Sequence, residues 1–509
     1  MKTGYRSTIG GNRVAQNDPP FAPMRRLLLQ GAVAGALGTA VRARAQSEEG
    51  EAKEDTAPIS PLMMTLATYI AETANRPLPD NVVEFTKHHF LDTLAAMVSG
   101  TRLVPGQRAL AFVKTLGGTR EACVPGSRVV TNAINAAFAG GMLGHADESD
   151  DNHAASMIHP GCGVVPAALA MAEREKAGGT ALLRAVALGY DVAVRMGLAL
   201  GAHTYDEAGR DTHAPGNTFG AAAAAGSLAR LNVDQVRHLL NYAAQQASGV
   251  SNFFAEPEHV SKAFNFGGMP ARNGVTAALL AEAGWTGYKD VFSSDRNYFG
   301  AFGITKSNPE ILVGGLGERY EVVGTNIKRW SAGGPVQAPL DSMSALVKEY
   351  KLKPGDVEKV VVRISHQGVE ITNNRDMANI CLQHLIAVML IDGTVTLESA
   401  NDQKRMQDPK VLEVRRRVEL VGDDEMDRLF PVRQAIVEIR LRDGRDLRHR
   451  TTVVRGMAKN PMNREEVAEK CYGLCAPVLG KQKTRGLIDA VWRLDNTKDV
   501  RTLRPLLMV

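Results

Sequence analysis

Aromatic residues are scarce in this sequence: Phe, Trp and Tyr make up 5% of its 509 residues, against 49 glycines. A β-sandwich fills the gap between its sheets with bulky side chains. The composition points instead to helices that meet on small residues. Cysteine is also sparse. The five, Cys123, Cys162, Cys381, Cys471 and Cys475, are odd in number and scattered, which excludes a disulfide framework. Cys471 and Cys475 are four apart and suit ordinary core positions on one helix. The most apolar run, Leu27 to Val41, falls short of the ~20 residues that a spanning helix needs. A real surplus of basic charge is missing too. The formal charge is +5, but seven of the 60 Lys/Arg and one of the 55 Asp/Glu lie in residues 1–45, leaving −1 on the rest. That balance argues against a nucleic-acid partner.

The basic N-terminus reads as a targeting segment, residues 1–45. Arg25-Arg26 precede the apolar run, and Ala43-Arg44-Ala45 offers a small-x-small cleavage site. The stretch MRRLLLQ resembles a twin-arginine signal. Export to the periplasm, removal of the signal near Ala45 and no stable membrane insertion afterwards are therefore expected. Ser47 to Pro58 is acidic and lacks large apolar side chains, so residues 46–60 read as a disordered linker.

What remains is too long for one ordinary core, and two domains are expected. Apolar periodicity predicts helices over Leu62–Ala74, Asn81–Ser99, Asn132–Leu143, Val164–Glu173, Ala181–Gly201, Thr218–Leu231, Asp234–Phe254 and Gly274–Ala283. The pattern changes near Tyr320. Strands are predicted over Val357–Ser365, Ala435–Leu441 and His449–Arg455, the last two joined by a turn at Asp443-Gly444-Arg445. Helices are predicted over Leu340–Tyr350 and Asn379–Ile391. Asn463 and Glu466 stand at capping-box spacing before a further helix to Pro477, and Gly486–Arg493 is another. The fold class is mostly α with a smaller α+β domain. A helical domain (61–322) is completed by C-terminal helices (456–509), and an α+β lid spans 323–455.

One stretch is chemically crowded. From His145 to His159 the chain carries three histidines, three aspartates and one glutamate, between two apolar helices. His145, Asp150, Asp151, His153 and His159 are plausible metal ligands, although no His-x-x-x-His pair or Cys pair accompanies them. The same residues suit acid–base work, with an aspartate orienting a histidine. A helix-capping turn around a core histidine also fits. Three further elements carry polar groups. THAPGNTFG places His213, Gly216, Asn217 and Thr218 at a helix start, where anions are favoured. SKAFNFGGMPARNG sets Lys262 among apolar and small residues. IKRW sets Lys328 at the domain join, where clefts commonly hold ligands.

These motifs, in series with PAALAMAE, GYDVAVRMG, QASGV, LIAVMLIDG and NPMNREEVAEK, resemble the MmgE/PrpD family, from about residue 62 to the C-terminus. That family includes 2-methylcitrate dehydratases, cis-aconitate decarboxylases and iminodisuccinate epimerases. The resemblance implies a large helical domain with a smaller lid and a cofactor-free site between them. It also implies a homodimer and a small di- or tricarboxylate substrate. By position, His159, His213, Lys262 and Lys328 match family site residues, and Asp150-Asp151 match its double aspartate. Four positions depart: Glu148 for Asp, Asn152 for Thr, Gln337 for His and His384 for Tyr. The implied roles are proton transfer at His159 and His213, assisted by Asp150, Asp151 and His384. Substrate contacts fall to Lys262, Lys328, Glu148, Asn152 and Gln337, with no metal. The expected reaction moves a proton at the carbon next to a carboxylate and eliminates water or CO₂, as in 2-methylcitrate dehydration. Epimerisation of a dicarboxylate and non-catalytic carboxylate binding are the alternatives.

Overall fold

Small residues set how closely the helices pack. The computed structural model describes residues 58–509 apart from 257 and 294; the expected signal and most of the linker lie outside the described residues. The helical lobe begins with α1 (Pro61–Glu72), where Ser60 caps the Met63 amide and Pro61 occupies a position that needs no N–H. It continues through α2 (Asp80–Gly100), α3 (Val104–Leu116), α4 (Ala133–Gly144), α5 (Pro160–Arg174), α6 (Gly179–Ala199), α7 (His213–Leu228), α8 (Val233–Gln246) and α9 (Met269–Glu282). All 16 residues of α7 are buried, so its alanines form the axis around which α5, α6 and α9 pack. A Cβ on Gly220 would press on the Gly189 carbonyl of α6, and Gly141 of α4 meets Gly267 backbone to backbone. Bulkier residues at either contact would force the helices apart.

Two helix boundaries differ from the sequence expectation. α7 starts at His213 itself, not after it, and α8 stops at Gln246, where Ala247 turns extended. Before residue 300 the described strands are the two-residue pair β1 (Ala122–Cys123) and β2 (Val130–Thr131).

The second lobe is built on a four-stranded sheet in the order β4-β3-β5-β6. Its strands are β3 (Val357–Ile364), β4 (Val418–Gly422), β5 (Ala435–Leu441) and β6 (Asp446–Thr451). β6 begins three residues earlier than its β-branched run suggests. The turn at Gly444 (φ 88°) pairs Arg440 with Asp446 directly, so the ladder forms as soon as the chain reverses. β4, parallel to β3, had no sequence signal of its own; it is a short edge strand with mixed burial. Helices α10 (Gln337–Tyr350) and α11 (Leu382–Asp392) pack against this sheet, and short α12 (Leu397–Asn401) follows.

Two hydrophobic cores result. One draws on residues 63–327 and again on 462–507; the other runs from Trp330 to Val454. The C-terminal helices α13 (Arg464–Leu479) and α14 (Lys481–Trp492) return to the helical lobe. The capping box of Asn463 with Glu466 starts α13, and Lys470 then reaches Asp92 of α2 at 2.6 Å and the Ser149 carbonyl at 2.7 Å. Ile327 belongs to the first core and Trp330 to the second, so Lys328 stands where the chain changes lobes. Just upstream, fully buried Arg195 donates to the carbonyls of Ile311, Gly314, Gly315 and Arg319, fixing the approach to that crossover. Among the described residues, no helix is long and apolar enough to cross a membrane.

The Gly141–Gly267 contact ties α4 to the segment that carries Lys262. Gly141→Ala is expected to cost about 1–3 kcal/mol in urea unfolding. It should also reduce turnover by displacing that segment. An unchanged midpoint would contradict the packing described.

Candidate active site

The crowded stretch forms a buried turn between α4 and α5. Ser149 donates its amide and hydroxyl to Asp147 Oδ1, at 3.0 and 2.6 Å, and so fixes the turn. Beyond it, Asp150 and Asp151 point to different partners. Asp150 accepts from His145 Nδ1 at 2.8 Å and His159 Nδ1 at 3.0 Å, with Lys328 Nζ 3.6 Å away. Burial alone would raise its pKa; His145, His159 and Lys328 override it and hold the carboxyl well below the usual range.

Glu148 lies between the two lysines. It pairs with Lys262 Nζ and, at 3.3 Å, with Lys328 Nζ, which also donates to the Glu148 carbonyl at 2.8 Å. Burial opposes its ionisation, but the two ammonium groups keep its pKa well below the ordinary value. Lys328 shows the reciprocal effect: burial would lower it, and Glu148 with Asp150 raise it above its usual value. Lys262 lies in a short helical turn that runs into a π-helical turn, Phe264–Gly268, before α9. Such turns re-aim side chains at functional sites.

Two histidines face each other across this cluster. The rings of His159, at the N-terminus of α5, and His213, at that of α7, are 5.1 Å apart. Each is anchored through Nδ1 by an aspartate: His159 by Asp150, and His213 by Asp211 at 2.8 Å. With the aspartate ionised, Nδ1 carries the proton and Nε2 presents its lone pair. Burial, reinforced by Lys328, pushes His159 well below the ordinary histidine value; burial lowers His213 as well, against the pull of Asp211. Both imidazoles are therefore neutral at neutral pH. Nε2 of His213 is buried without a protein partner.

Phe266 holds the arrangement flat. It stacks on His213 at 3.4 Å and on His145 at 4.4 Å, with Lys262 Nζ 5.1 Å from its ring. Asn217 Nδ2 donates to the carbonyls of His159 (2.9 Å) and Phe266 (2.7 Å) and so braces backbone, while its Oδ1 is buried without a partner. Phe266, Asp211 and His259 escaped the sequence reading. Asp211 stands two residues before His213, a spacing that offered a clue. Phe266 and His259 gave none.

The structure brings His159, His213, Asp150, Lys262, Lys328 and Glu148 together; Asn152 and Gln337 line a small cavity that includes Lys328, while Asp151 and His384 lie apart from the cluster. Asp151, expected in the proton transfer, is built into the helical core. It accepts from His89 Nδ1 at 2.7 Å, Tyr190 Oη at 2.6 Å and the Gly161 amide at 2.9 Å. Gln337, expected to touch substrate, donates to the carbonyls of Trp330 and Ala332 and accepts from the Trp330 amide, which stitches its own loop. Asn152 pairs with Asn326, through both backbones and through its side-chain oxygen at 3.1 Å, and closes the lobe crossover. His384 is buried in the second lobe, where its charge neighbours are Arg415, Arg405 and Asp402, none of them in the cluster. Glu148 meets lysines where a substrate carboxylate was expected to meet them. As for metal, ligand atoms of His145, Glu148 and His259, or of His145, Asp150 and Cys162, lie within 4.8 Å of one another. In both sets a carboxylate is already paired with lysine, which competes with a cation.

Comparison with known proteins agrees with this architecture. The MmgE/PrpD N-terminal domain matches residues 64–310, and the MmgE/PrpD C-terminal domain matches residues 330–495. The chain is similar to cis-aconitate decarboxylase of Homo sapiens, at 27% identity over 84% of this chain and 91% of that protein. It is also similar to cis-aconitate decarboxylase of Aspergillus terreus, at 26% identity over 86% of this chain and 94% of that protein. A third relative is a cis-aconitate decarboxylase-like protein of Aspergillus oryzae, 24% identical over 89% of this chain and 98% of that protein.

Two measurements check these placements. Tyr190→Phe removes one donor to buried Asp151 and is expected to lower stability by about 1–3 kcal/mol while leaving KM unchanged; a raised KM would return Asp151 to the site. The buried histidines also limit acid stability. His159, His213, His259 and His384 all fall below the ordinary value of 6.5, in each case chiefly through burial. They stay neutral in the folded state while the unfolded chain takes up protons. Their contribution to stability is thus complete above pH 6.5 and falls as the pH drops below it. For His384, pushed down to about 4, the loss runs from pH 6.5 to about 4 and reaches about 3 kcal/mol. His384→Gln should flatten the melting-temperature slope across that window; an unchanged slope would contradict this account.

Fold, site and sequence match together establish that this chain belongs to the MmgE/PrpD family and is a lyase.

Proposed function

We propose that the enzyme acts on a small polycarboxylate, moving a proton at the carbon next to a carboxylate and releasing water or CO₂. The observation that carries this is the pair of imidazoles, each held by an aspartate, facing each other beside two lysines. Lys262 and Lys328 bind a substrate carboxylate as Glu148 yields its place, and they stabilise the enediolate charge that develops there. In dehydration, Nε2 of one histidine takes the α-proton, the C–O bond at the neighbouring carbon breaks, and the imidazolium so formed passes that proton to the departing hydroxide, which leaves as water. In decarboxylation, CO₂ departs, the electron pair left behind rests on the lysine-held carboxylate, and a histidine that has taken a proton from solvent at Nε2 delivers it to carbon, returning to the neutral imidazole. The decarboxylase relatives favour this second outcome over 2-methylcitrate dehydration.

A second reading draws on the similarity of the two histidines. Two aspartate-anchored imidazoles 5.1 Å apart also suit removal and return of a proton, that is, epimerisation of a dicarboxylate. Mass spectrometry separates the two, because epimerisation conserves mass. The twin-arginine-like signal supports placing this chemistry in the periplasm, which fractionation of cells carrying an Arg25→Lys, Arg26→Lys variant would check.

Incubation with a panel of di- and tricarboxylates in D₂O, followed by proton NMR, is expected to reveal exchange or elimination. His159→Ala should lower the rate at least about 100-fold with little change in melting temperature. Unchanged turnover in that variant would overturn the assignment.

A further inference from the structure

Arg433, in the loop that leads into β5, is a cation without an anion. Among the described residues its guanidinium makes no hydrogen bond and no ion pair, and its Nε is buried. Burial holds its pKa down to about 10, with no carboxylate to offset the shift. Even a weakly hydrated guanidinium loses free energy when it sheds water and gains no partner.

Its surroundings collect donors. Arg433 lines a small cavity of about 20 Å³ with Asn152, Asn326, Lys328 and Gly334. Gly334 locates the head group. A Cβ there would lie 3.8 Å from Arg433 Nε, 3.9 Å from its Cζ and 3.2 Å from Asn152 Nδ2, so guanidinium and amide meet over the same glycine. That amide is free to donate. Asn326 Oδ1 accepts from the Ala458 amide at 3.0 Å, so Asn326 Nδ2 is the donor to Asn152 Oδ1 at 3.1 Å. Asn152 Nδ2 is left without a partner among the described residues. No described aspartate or glutamate lines the cavity, and its other two cations are already balanced: Lys328 by Glu148 and Asp150, Arg455 by Glu466.

We propose that this cavity binds a small monovalent anion of chloride size, held between the Arg433 guanidinium and the Asn152 amide. Charge, donors and size agree: two unused donors face an uncompensated cation, and about 20 Å³ admits one water-sized group. Asn152 belongs to the helical lobe and Arg433 to the second, so the anion ties the lobes together beside Lys328. The site stands apart from the proposed reaction, because neither His159 nor His213 lines it.

The test is thermal unfolding of the purified full chain at constant ionic strength, with gluconate, too large for the cavity, making up the balance of salt. Raising chloride from about 10 to about 300 mM is expected to lift the melting temperature by at least about 2 °C. Arg433→Gln should abolish that rise without lowering the melting temperature at low chloride, since it removes an unpaired charge. Asn152→Asp supplies a built-in carboxylate and should be stable at low chloride and indifferent to more. It also keeps the test decisive if Arg433→Gln does not fold. Formate is the second arm. Stabilisation by formate with none by chloride would assign the cavity to carboxylates and overturn the inference. A melting temperature indifferent to chloride in the wild type, or a rise that persists in either variant, would overturn it too. The fate of the proposed function is read separately, from exchange in D₂O.

Discussion

The structure depends on a set of buried charges that cannot be separated. Glu148 and Asp150 are sequestered from water, and their ionisation survives only because Lys262, Lys328 and two histidines are held against them. Removing one member of such a group leaves an uncompensated buried charge, at a cost of roughly 3–5 kcal/mol. The members come from different places. Glu148 and Asp150 lie in the turn after α4, Lys262 precedes the π-helical turn, and Lys328 lies at the crossover to the second lobe. Assembling the charges therefore also assembles the lobes. Lys328 is the most constrained, since it binds a backbone carbonyl and two carboxylates at the point where the chain leaves one core for the other.

Close helix packing lets these charges meet. The Gly141–Gly267 and Gly189–Gly220 contacts bring backbones together without intervening side chains, and the alanines of α7 keep its neighbours near. In that dense setting some buried polar groups are fully satisfied and others are left without a partner. Asp151 belongs to the first kind, with three donors around it. His213 Nε2, beside the His159 ring, belongs to the second. The contrast between the adjacent aspartates is instructive. Successive residues in a turn point in different directions, so Asp150 serves the histidines while Asp151 anchors the turn to α2 and α6.

Much of this was legible in the sequence. Apolar periodicity located the long helices, and the change of pattern near Tyr320 marked the second lobe. The capping box at Asn463 announced α13 correctly because its geometry is local. Lys262 and Lys328 were found from their motifs, although nothing in the sequence said that Glu148 would lie between them. Gln337 and His384 stand apart from the histidine cluster for a common reason. Gln337 and His384 were judged by position in a motif, but their side chains are governed by long-range packing: Gln337 closes a loop on itself, and His384 faces the core of its own lobe. β4 was missed because an edge strand of five residues carries little pattern, and Phe266 because a stacking partner is defined only in three dimensions.

The central claim is that His159 and His213 are neutral, aspartate-anchored imidazoles with Nε2 free to move a proton. Nitrogen NMR of protein labelled at histidine tests it directly, with His159→Gln and His213→Gln used to assign the two signals. At neutral pH both rings are predicted to be uncharged, with the proton on Nδ1. A doubly protonated ring at either position, or a proton on Nε2 in place of Nδ1, would contradict the account.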